Sequence, residues 1–179
     1  MPPRYYLQYA SDVIWCADVA GKAKRKRRSG CPVSISLEVF GDRWSLLIIR
    51  DLMVRAYRTF KEFEESGEGI ATNILADRLQ RLEAAWIIVA QAEETDRRRV
   101  SYRLTEKGID LAPVLLELLI WGARHEETAA PCALIARMES SRAEVLAEVR
   151  RRWQERDSTP LIPRFGHGDA DGHSGGRRK

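Results

Sequence analysis

The segment ETDRRRVSYRLTEKG contains three adjacent arginines, Arg97, Arg98 and Arg99. They lie between two stretches of the chain in which residues alternate as in β-strands. Neighbouring guanidinium groups repel one another, so they need a counterion or screening by water. Phosphates of a nucleic acid could supply the counterion, with an affinity that falls as salt rises. The alternative is an exposed hairpin turn in which nearby carboxylates screen the arginines, namely Glu93, Glu94 and Asp96.

A second candidate is the segment IATNILADRLQRLEAA, which has the apolar spacing of a helix. Leu75, Leu79 and Leu82 share one face. The opposite face carries small or short polar side chains instead of the lysines and glutamates of an ordinary solvated face. These side chains belong to Asn73, Ala76, Asp77 and Gln80.

The neighbouring segments predict the elements that position these two features. CPVSISLEVF and DRWSLLIIRDLMV predict two helices separated by Gly41, with Asp42 as N-cap of the second. RTFKEFEES predicts a short helix, and WIIVAQAEE and RRVSYRL predict two strands. The predicted fold class is therefore mainly α with a small β-hairpin (α+β). This order of elements is that of a winged helix-turn-helix, which places a helix in the DNA major groove.

Two helices are predicted after the hairpin. TEKGIDLAPVLLELLIWGARHEE is richer in apolar residues than one buried face requires, which indicates a partner surface, most simply on another copy of the chain. SSRAEVLAEVRRRWQERD predicts a charged helix whose capping box is Ser141 and Glu144. The predicted divisions are a flexible basic extension at 1–30, the winged-helix domain at 31–126, a helical extension at 127–157 and a disordered tail at 158–179.

The charge of the whole chain permits a nucleic-acid partner without requiring one. The 179 residues carry a net charge of +4, and KAKRKRR at 22–28 is either an arm that tracks DNA phosphates or a solvated leader. No apolar run approaches the ~18 residues of a membrane span, and no signal-peptide pattern is present, so a cytoplasmic protein is expected. Cys16, Cys31 and Cys132 have neither the spacing of a disulfide framework nor that of a CxxC metal pair.

No catalytic, metal or cofactor site is predicted. His125 is the only histidine in the predicted folded region, and no serine, cysteine or paired carboxylates stand at an interpretable spacing around it. Its place near a helix C-terminus suits an interaction with the helix dipole. The tail holds His167 and His173, but a flexible segment fixes no metal geometry.

Four segments, taken together and in order, resemble a known family. They are CPVSISLEVFGDRWSLLIIRDLM, GIATNILADRLQRLE, DRRRVSYRLTEKG and LIWGARH, and they extend from Cys31 to about Glu126. In them the chain is similar to the HxlR-type winged helix-turn-helix transcriptional regulators, relatives of the MarR group. The resemblance implies a homodimer, formed through flanking helices, on a pseudo-palindromic operator in double-stranded DNA. It further implies a cytoplasmic, nucleoid-associated regulator, more often a repressor, with an oxidant or small-molecule effector.

The resemblance also implies the DNA contacts. Asn73 could pair with adenine through two hydrogen bonds, and Asp77 could accept from cytosine N4 or instead orient Arg78 or Arg81. The expected contacts are Thr72, Asn73, Ala76, Asp77, Gln80 and Arg81 on the recognition helix, Arg97, Arg98 and Arg99 on the wing, and Arg58 and Lys61 near the DNA backbone. The last two are alternatively ordinary surface charges.

Three positions raise separate expectations. Ala71 stands where a capping serine is common in the family, so Thr72 is expected to cap the recognition helix. Trp86 stands where glycine usually ends that helix, so we expect it to pack in the core, to mark a shifted helix end, or to cover a dimer or ligand surface. Cys31, before a proline, matches the thiol through which some family members sense oxidants, and Arg27 and Arg28 would lower its pKa. Alternatively, Cys31 is a small buried hydrophobe.

A second functional class remains open for the same fold, namely a winged-helix module that binds protein instead of DNA. Such a module would carry an apolar or acidic recognition face. The face in this sequence is small and polar, which favours DNA.

Overall fold

The computed structural model describes residues 29–92 and 99–162; the basic extension, the hairpin tip with Arg97 and Arg98, and residues 163–179 lie outside the described residues. The described residues from Ser36 onward form one compact unit. The fold is mainly α with one two-stranded antiparallel hairpin, so the predicted fold class is confirmed. The elements are α1 (Pro32–Phe40), α2 (Arg43–Val54), α3 (Phe60–Glu64), α4 (Thr72–Ala84), β1 (Ile88–Ala92), β2 (Val100–Leu104), α5 (Glu106–Ile109), α6 (Ala112–His125), α7 (Cys132–Ser140) and α8 (Arg142–Glu155).

Side-chain caps fix where α2 and α3 begin. Asp42 caps α2 as predicted, because its carboxylate accepts hydrogen bonds from the backbone N–H groups of Trp44 and Ser45, both at 3.1 Å. Thr59 and Glu62 form a capping box at the start of α3, each side chain bonding the other residue's backbone N–H. Each cap satisfies N–H groups that a helix start leaves without a partner. The local sequence therefore closely specifies where both helices begin.

The recognition helix α4 begins without such a cap. Its N-cap residue is Ala71, which has no side-chain oxygen, and no side-chain capping bond is formed there. The expectation that Thr72 serves as the cap is wrong, because Thr72 is already the first helical residue. Its hydroxyl donates instead to a carboxylate oxygen of Glu64 in α3, at 3.4 Å. The start of α4 is thus tied to α3 through a side chain.

The end of α4 is closed by a tryptophan in the left-handed conformation. Trp86 has a φ of +59°, and 59% of its surface is exposed. The Trp86 N–H donates to the Glu83 carbonyl and the Ile87 N–H donates to the Leu82 carbonyl, both at 2.9 Å. This is the Schellman pattern that glycine usually completes. The expected core packing of Trp86 is therefore wrong, and the helix end is not shifted.

The hairpin is fixed to the body of the domain at its base. β1 and β2 pair with Ile88 opposite Leu104, as the predicted strands require. A further bridge joins Thr59, at the start of α3, to Ser101 of β2. Three chain segments therefore meet along β2.

One apolar core supports both α4 and the wing. The predicted stripe of α4 is confirmed, because Leu75, Leu79 and Leu82 are almost fully buried. Apolar surface removed from water contributes about 25 cal/mol per Å², so this stripe anchors the helix and leaves its other face free for contacts. The remaining buried apolar residues of this core are Ile48, Ile49, Leu52, Tyr57, Phe63, Ile70, Ile87, Ile88, Leu104, Ile109, Ala112 and Val149.

The sequence did not predict α7, and one predicted cap is absent. CALIARMES forms the nine-residue α7, which buries Ile135 and Met138. The predicted capping box of Ser141 and Glu144 is wrong: Ser141 is the N-cap of α8, but its side chain makes no capping bond. Ser141 is also the C-cap of α7, so a single residue, with a φ of −124° and a ψ of 39°, lies between the two helices. The tight junction explains why the cap is not formed.

The packed chain continues past the predicted start of the tail. The N–H groups of Leu161 and Ile162 both donate to the Val54 carbonyl of α2, at 2.8 and 3.2 Å. Ile162 is buried with Leu116 and other residues of a second apolar cluster. The expected disorder therefore does not begin at Ser158.

Candidate nucleic-acid interface

The exposed face of α4 brings the expected recognition residues together. Thr72, Asn73, Gln80 and Arg81 are exposed, and Ala76 and Asp77 are half-buried between them. Their spacing of three and four positions places them on one side of the helix, opposite the buried leucines. The small and short side chains at the N-terminal end allow the helix backbone to approach another surface closely.

Asp77 is held between two arginines of its own helix. One Asp77 oxygen accepts from Arg78 Nη1 at 2.6 Å, and the Arg81 Nε lies 3.1 and 2.9 Å from the two carboxylate oxygens. This is the second of the two expected roles for Asp77, the orientation of Arg78 and Arg81. The arrangement holds the exposed Arg81 guanidinium toward the surface of α4.

Arg78 joins the recognition helix to the helix before it. Its Nε donates to Asp42 at 2.9 Å, the same carboxylate that caps α2. The Ser45 hydroxyl donates to the other Asp42 oxygen at 2.5 Å. Partial burial alone raises the pKa of the Asp42 carboxyl, but the Ser45 hydrogen bonds and the Arg78 charge outweigh it and hold that pKa below its ordinary value. Asp42 is therefore ionised at neutral pH and sets the angle between α2 and α4.

The two residues expected near the DNA backbone differ in their surroundings. Arg58 is half-buried, and its Nη1 donates to the carbonyls of Leu52 and Tyr57 at 2.8 and 2.6 Å. Burial, and then the charge of Arg103, lower the pKa of the Arg58 guanidinium. These contacts favour a structural role for Arg58 over the expected contact with DNA. Lys61 is exposed, 3.6 Å from Glu65, and remains available to a phosphate.

One of the three arginines of the wing, Arg99, lies within the described residues. Arg99 is exposed and directly precedes β2; Arg97 and Arg98 lie outside the described part of the chain. The base of the wing is held by α8, since the Trp153 indole N–H donates to the Leu104 carbonyl at 2.8 Å. It is held further by Thr105, the N-cap of α5, whose N–H donates to the Ile87 carbonyl at 3.0 Å.

The Cys31 thiol lies at the exposed start of α1. Backbone N–H groups of Ser34 and Val33 donate to the sulfur and hold the pKa of the thiol below its ordinary value. The thiolate is the nucleophilic form, so this environment increases reactivity. Exposure excludes the alternative of a small buried hydrophobe. Arg27 and Arg28, the cause expected from sequence, lie outside the described residues.

Helix α6 has the predicted apolar surplus. Val114, Leu118 and Trp121 are large, apolar and exposed along this helix, and His125 ends it with its ring 5.1 Å from that of Trp121. Within residues 29–92 and 99–162, no helix has the length and apolar character to cross a membrane. The same residues contain no cluster of three or more metal-ligating side chains.

Sequence reasoning missed the role of Arg78. The sequence offered Arg78 only a local partner, Asp77, whereas its other partner, Asp42, is 36 positions away. No local pattern marks a contact over that distance. An unusual arginine at the edge of an otherwise apolar face, four positions from other face residues, was the one available signal.

The family model and the similar proteins of known sequence agree on one family. Residues 39–130 match the family model for HxlR-like helix-turn-helix proteins. The HTH-type transcriptional regulator YodB of Bacillus subtilis is 38% identical over 92 residues, which cover 51% of this chain and 81% of that protein.

Two solved structures share both sequence and fold with this chain. The transcription factor candidate PA1607 is 40% identical with a TM-score of 0.53, over 59% of this chain and 71% of that one. The redox regulator HypR in its oxidised form is 30% identical with a TM-score of 0.50, over 54% of this chain and 99% of that one. The family model ends at residue 130, so α7 and α8 lie outside it.

Proposed function

The chain belongs to the HxlR-like helix-turn-helix family and is a transcriptional regulator, and from that premise we propose that it is a homodimeric repressor that binds a pseudo-palindromic operator in double-stranded DNA. The observation that carries the proposal is the exposed, short-armed polar face of α4, together with a hairpin whose connecting sequence carries Arg97, Arg98 and Arg99. An apolar or acidic face would have favoured the alternative, a module that binds protein. The chain belongs to a family of regulators, and no catalytic role is proposed.

The two parts of this surface have different tasks. Asn73 and Gln80 carry amides that can make paired hydrogen bonds to adenine in the major groove, while Thr72 and Ala76 allow close approach. Arg81, oriented by Asp77, can reach a guanine or a phosphate. These contacts would carry sequence specificity.

The wing supplies contacts that depend on charge. Arg97, Arg98 and Arg99 would bind phosphates or enter a narrow A·T-rich minor groove, where the negative potential is strongest. Lys61 would add a phosphate contact beside α4. Such contacts raise affinity for all sequences and position the protein on the duplex.

The homodimer would form through the exposed apolar face of α6. Val114, Leu118 and Trp121 are costly to leave in water, and a two-fold axis buries the same face twice. A dimer presents two recognition helices to half-sites one helical turn apart. We propose the winged-helix domain at 31–126 as the DNA-binding unit and 127–157 as a helical extension. Binding to chromosomal DNA would place the protein on the nucleoid in the cytoplasm.

The signal is proposed to be an oxidant acting at Cys31. HypR, to which this chain is similar, is a redox regulator. Attack of the Cys31 thiolate on a peroxide forms an S–O bond, breaks the O–O bond and releases hydroxide, which leaves a sulfenic acid. A small molecule is the alternative effector that the family resemblance implies.

The decisive experiment compares three single variants for binding to the DNA upstream of the gene and to scrambled DNA. Asn73→Ala should lose about 1–3 kcal/mol of discrimination between the two DNAs. Arg98→Ala should weaken binding to both and lower the slope of log affinity against log salt by about one. Arg151→Ala is the matched control, because it removes the same charge from the exposed face of α8.

If Asn73→Ala and Arg98→Ala both bind like the unaltered protein, the proposed mechanism is wrong. A protein partner combined with no salt-sensitive DNA affinity would support the protein-binding module instead.

A further inference from the structure

Helix α8 holds the base of the wing through one hydrogen bond. The Thr105 N–H donates to the Ile87 carbonyl, and residue pairs in an antiparallel hairpin alternate between bonded and non-bonded. The next pair, Ile88 and Leu104, is therefore non-bonded, so the Leu104 carbonyl points away from β1. The Trp153 indole N–H of α8 donates to this carbonyl at 2.8 Å. No other donor reaches the carbonyl within residues 29–92 and 99–162.

The bond matters because its acceptor lies on a buried residue. Leu104 is 6% exposed, and a buried carbonyl that loses its donor is costly unless the chain moves to let water reach it. Two residues earlier, the Tyr102 N–H points to the same side of β2 and donates to the Arg58 carbonyl at 2.7 Å. The edge of β2 away from β1 is thus held by the segment before α3 and, at its end, by α8.

Helix α8 is itself firmly placed, so it can act as a rigid support. Val149, one turn before Trp153, is buried in the core that supports α4. Leu146 packs against both apolar clusters. After the helix, the N–H groups of residues 161 and 162 both donate to the Val54 carbonyl of α2. Because movement of α8 would disturb all of these contacts, its indole is a fixed point for β2.

A small rotation at this point is amplified along the strand. Arg99 directly precedes β2 and lies five residues from Leu104, which is about 16 Å at the rise of roughly 3.3 Å per strand residue. Over that length, a rotation of about 10° at Leu104 would move Arg99 by about 3 Å. Such a displacement breaks a hydrogen bond, since donor–acceptor distances in proteins span only about 2.7–3.2 Å.

We propose that Trp153 is a positioning residue for the wing, and that α8 is therefore part of the DNA-binding unit. Helix α8 lies beyond residue 126, the end of the winged-helix domain, and beyond residue 130, where the family model ends. The indole acts through Leu104, by fixing the direction in which β2 carries Arg99, and not by touching DNA. The effect on DNA binding rests on the proposed function, whereas the hold of α8 on the hairpin does not.

Three variants isolate the hydrogen bond from the packing of α8. Trp153→Phe removes the donor and keeps an aromatic ring. Val149→Ala is the matched control, because it removes packing from the same face of α8, one turn earlier, and leaves the indole N–H in place. Benzothiophene in place of the Trp153 indole, introduced by nonsense suppression, keeps the shape of the ring without the N–H. This third variant replaces Trp153→Phe if the phenylalanine variant folds poorly.

Amide hydrogen exchange of the full chain without DNA tests the hold on the hairpin. The measured quantity is the ratio of the exchange rates of β1 and β2 amides to those of α4 amides, followed residue by residue by NMR. Loss of the Trp153 N–H should raise this ratio at least about threefold, because the hairpin opens locally while α4 stays in the core. Val149→Ala should lower the stability of the whole domain without raising the ratio. An unchanged ratio in both Trp153 variants, or an equal rise in Val149→Ala, would overturn the proposal.

A double-mutant cycle tests the consequence for DNA. Trp153→Phe should weaken binding to the upstream DNA and to scrambled DNA alike, by about threefold to tenfold, because phosphate contacts are lost. With Arg97, Arg98 and Arg99 all replaced by alanine, Trp153→Phe should add less than about twofold, since the wing has no charged contact left to lose. Combined with Asn73→Ala, it should weaken binding by as much as in the unaltered protein.

The cycle separates positioning of the wing from a loss of folded protein. A variant that is only less stable loses affinity by the same factor in every background. Equal losses with and without the wing arginines, or a loss confined to the upstream DNA, would therefore overturn the positioning role.

The two experiments also distinguish failure of this inference from failure of the proposed function. If the unaltered protein binds no DNA under any condition, the proposed function is refuted, and the exchange ratio still decides whether α8 holds the hairpin. If the unaltered protein binds DNA through the wing arginines and Trp153→Phe binds equally well, the role of Trp153 is refuted and the proposed function stands.

Discussion

The same substitution, glycine to alanine, should have opposite effects at two helical positions. Gly108 in α5 lies so close to the Ile87 carbonyl that an added Cβ would come within 2.2 Å of the oxygen. That oxygen accepts hydrogen bonds from the Thr105 N–H at 3.0 Å and the Thr105 hydroxyl at 3.2 Å. At Gly122 in α6 the added Cβ meets no atom within 4 Å. The surroundings of each glycine, and not the residue type, decide whether alanine stabilises or destabilises the protein.

The magnitude follows from these contacts. Relief of the Gly108→Ala clash requires the carbonyl to move by about 1 Å, since carbon and oxygen repel steeply at shorter range. The shift weakens two hydrogen bonds of about 1 kcal/mol each and adds overpacking of about 1–3 kcal/mol. The higher helix propensity of alanine offsets about 1 kcal/mol of this loss of stability. The expected net loss is about 3 kcal/mol, or a fall in Tm of roughly 6–12 °C for a chain of this size.

Gly122→Ala is the control, because it replaces glycine by alanine in the unfolded chain in the same way as Gly108→Ala. It should raise the free energy of unfolding by about 1 kcal/mol and Tm by roughly 2–4 °C. Thermal and urea denaturation followed by circular dichroism measure both variants. Equal shifts of the same sign, or an undisturbed Gly108→Ala, would refute the argument from close approach.

Three further predictions concern the cap of α2, the thiol and the dimer. The pKa of folded Asp42 is lowered, so the stability that its carboxylate adds is fully present above the ordinary pKa and is lost as pH falls through the lower folded value. The difference in urea stability between the unaltered protein and Asp42→Asn should therefore hold from pH 7 to 5 and shrink toward pH 3. A difference that grows on acidification would contradict the lowered pKa. The pKa of Cys31 is also lowered, so its alkylation by iodoacetamide, followed by peptide mass spectrometry, should rise with a midpoint below that of a free thiol; a midpoint above it would exclude the proposed activation. Trp121→Glu should yield a monomer by light scattering while Arg151→Ala remains dimeric, and an unchanged dimer would place the interface away from α6.

The sequence predicted the elements whose information is local. Leu75, Leu79 and Leu82 repeat at helical spacing, and burial of that stripe follows from amphipathicity alone. Asp42 precedes an apolar periodic run, and a short polar side chain there is enough to predict an N-cap. The hairpin was equally predictable, because its two strands alternate around a polar tip.

The features that sequence did not predict depend on distant parts of the chain. Trp86 adopts a conformation that disfavours tryptophan, because the two Schellman hydrogen bonds and the packing of α4 outweigh the local preference. The nine residues of α7 are too few to show a clear period, and helices of this length are stabilised by tertiary packing rather than by propensity. An apolar cavity of about 360 Å³ is lined by residues of α2, α6, α7 and α8 and by residues 161–162, so no single stretch of sequence contains it.

The link between Arg78 and Asp42 belongs to the same class. The sequence indicated that Asp42 begins one helix and that Arg78 belongs to another, where it could pair with Asp77. Only the fold shows that one carboxylate serves both helices. The position of a recognition helix thus depends on a contact that neither local pattern encodes.

The measurement that tests the central claim most directly is fluorescence anisotropy of the purified full chain with DNA from upstream of its own gene and with scrambled DNA, across a salt series. The protein should bind the upstream DNA more tightly than the scrambled DNA at every salt concentration. Affinity for both should fall steeply as salt rises, because phosphates are neutralised by lysine and arginine. An absence of DNA binding even at low salt would contradict the account and leave the arginines of the wing as a solvated turn.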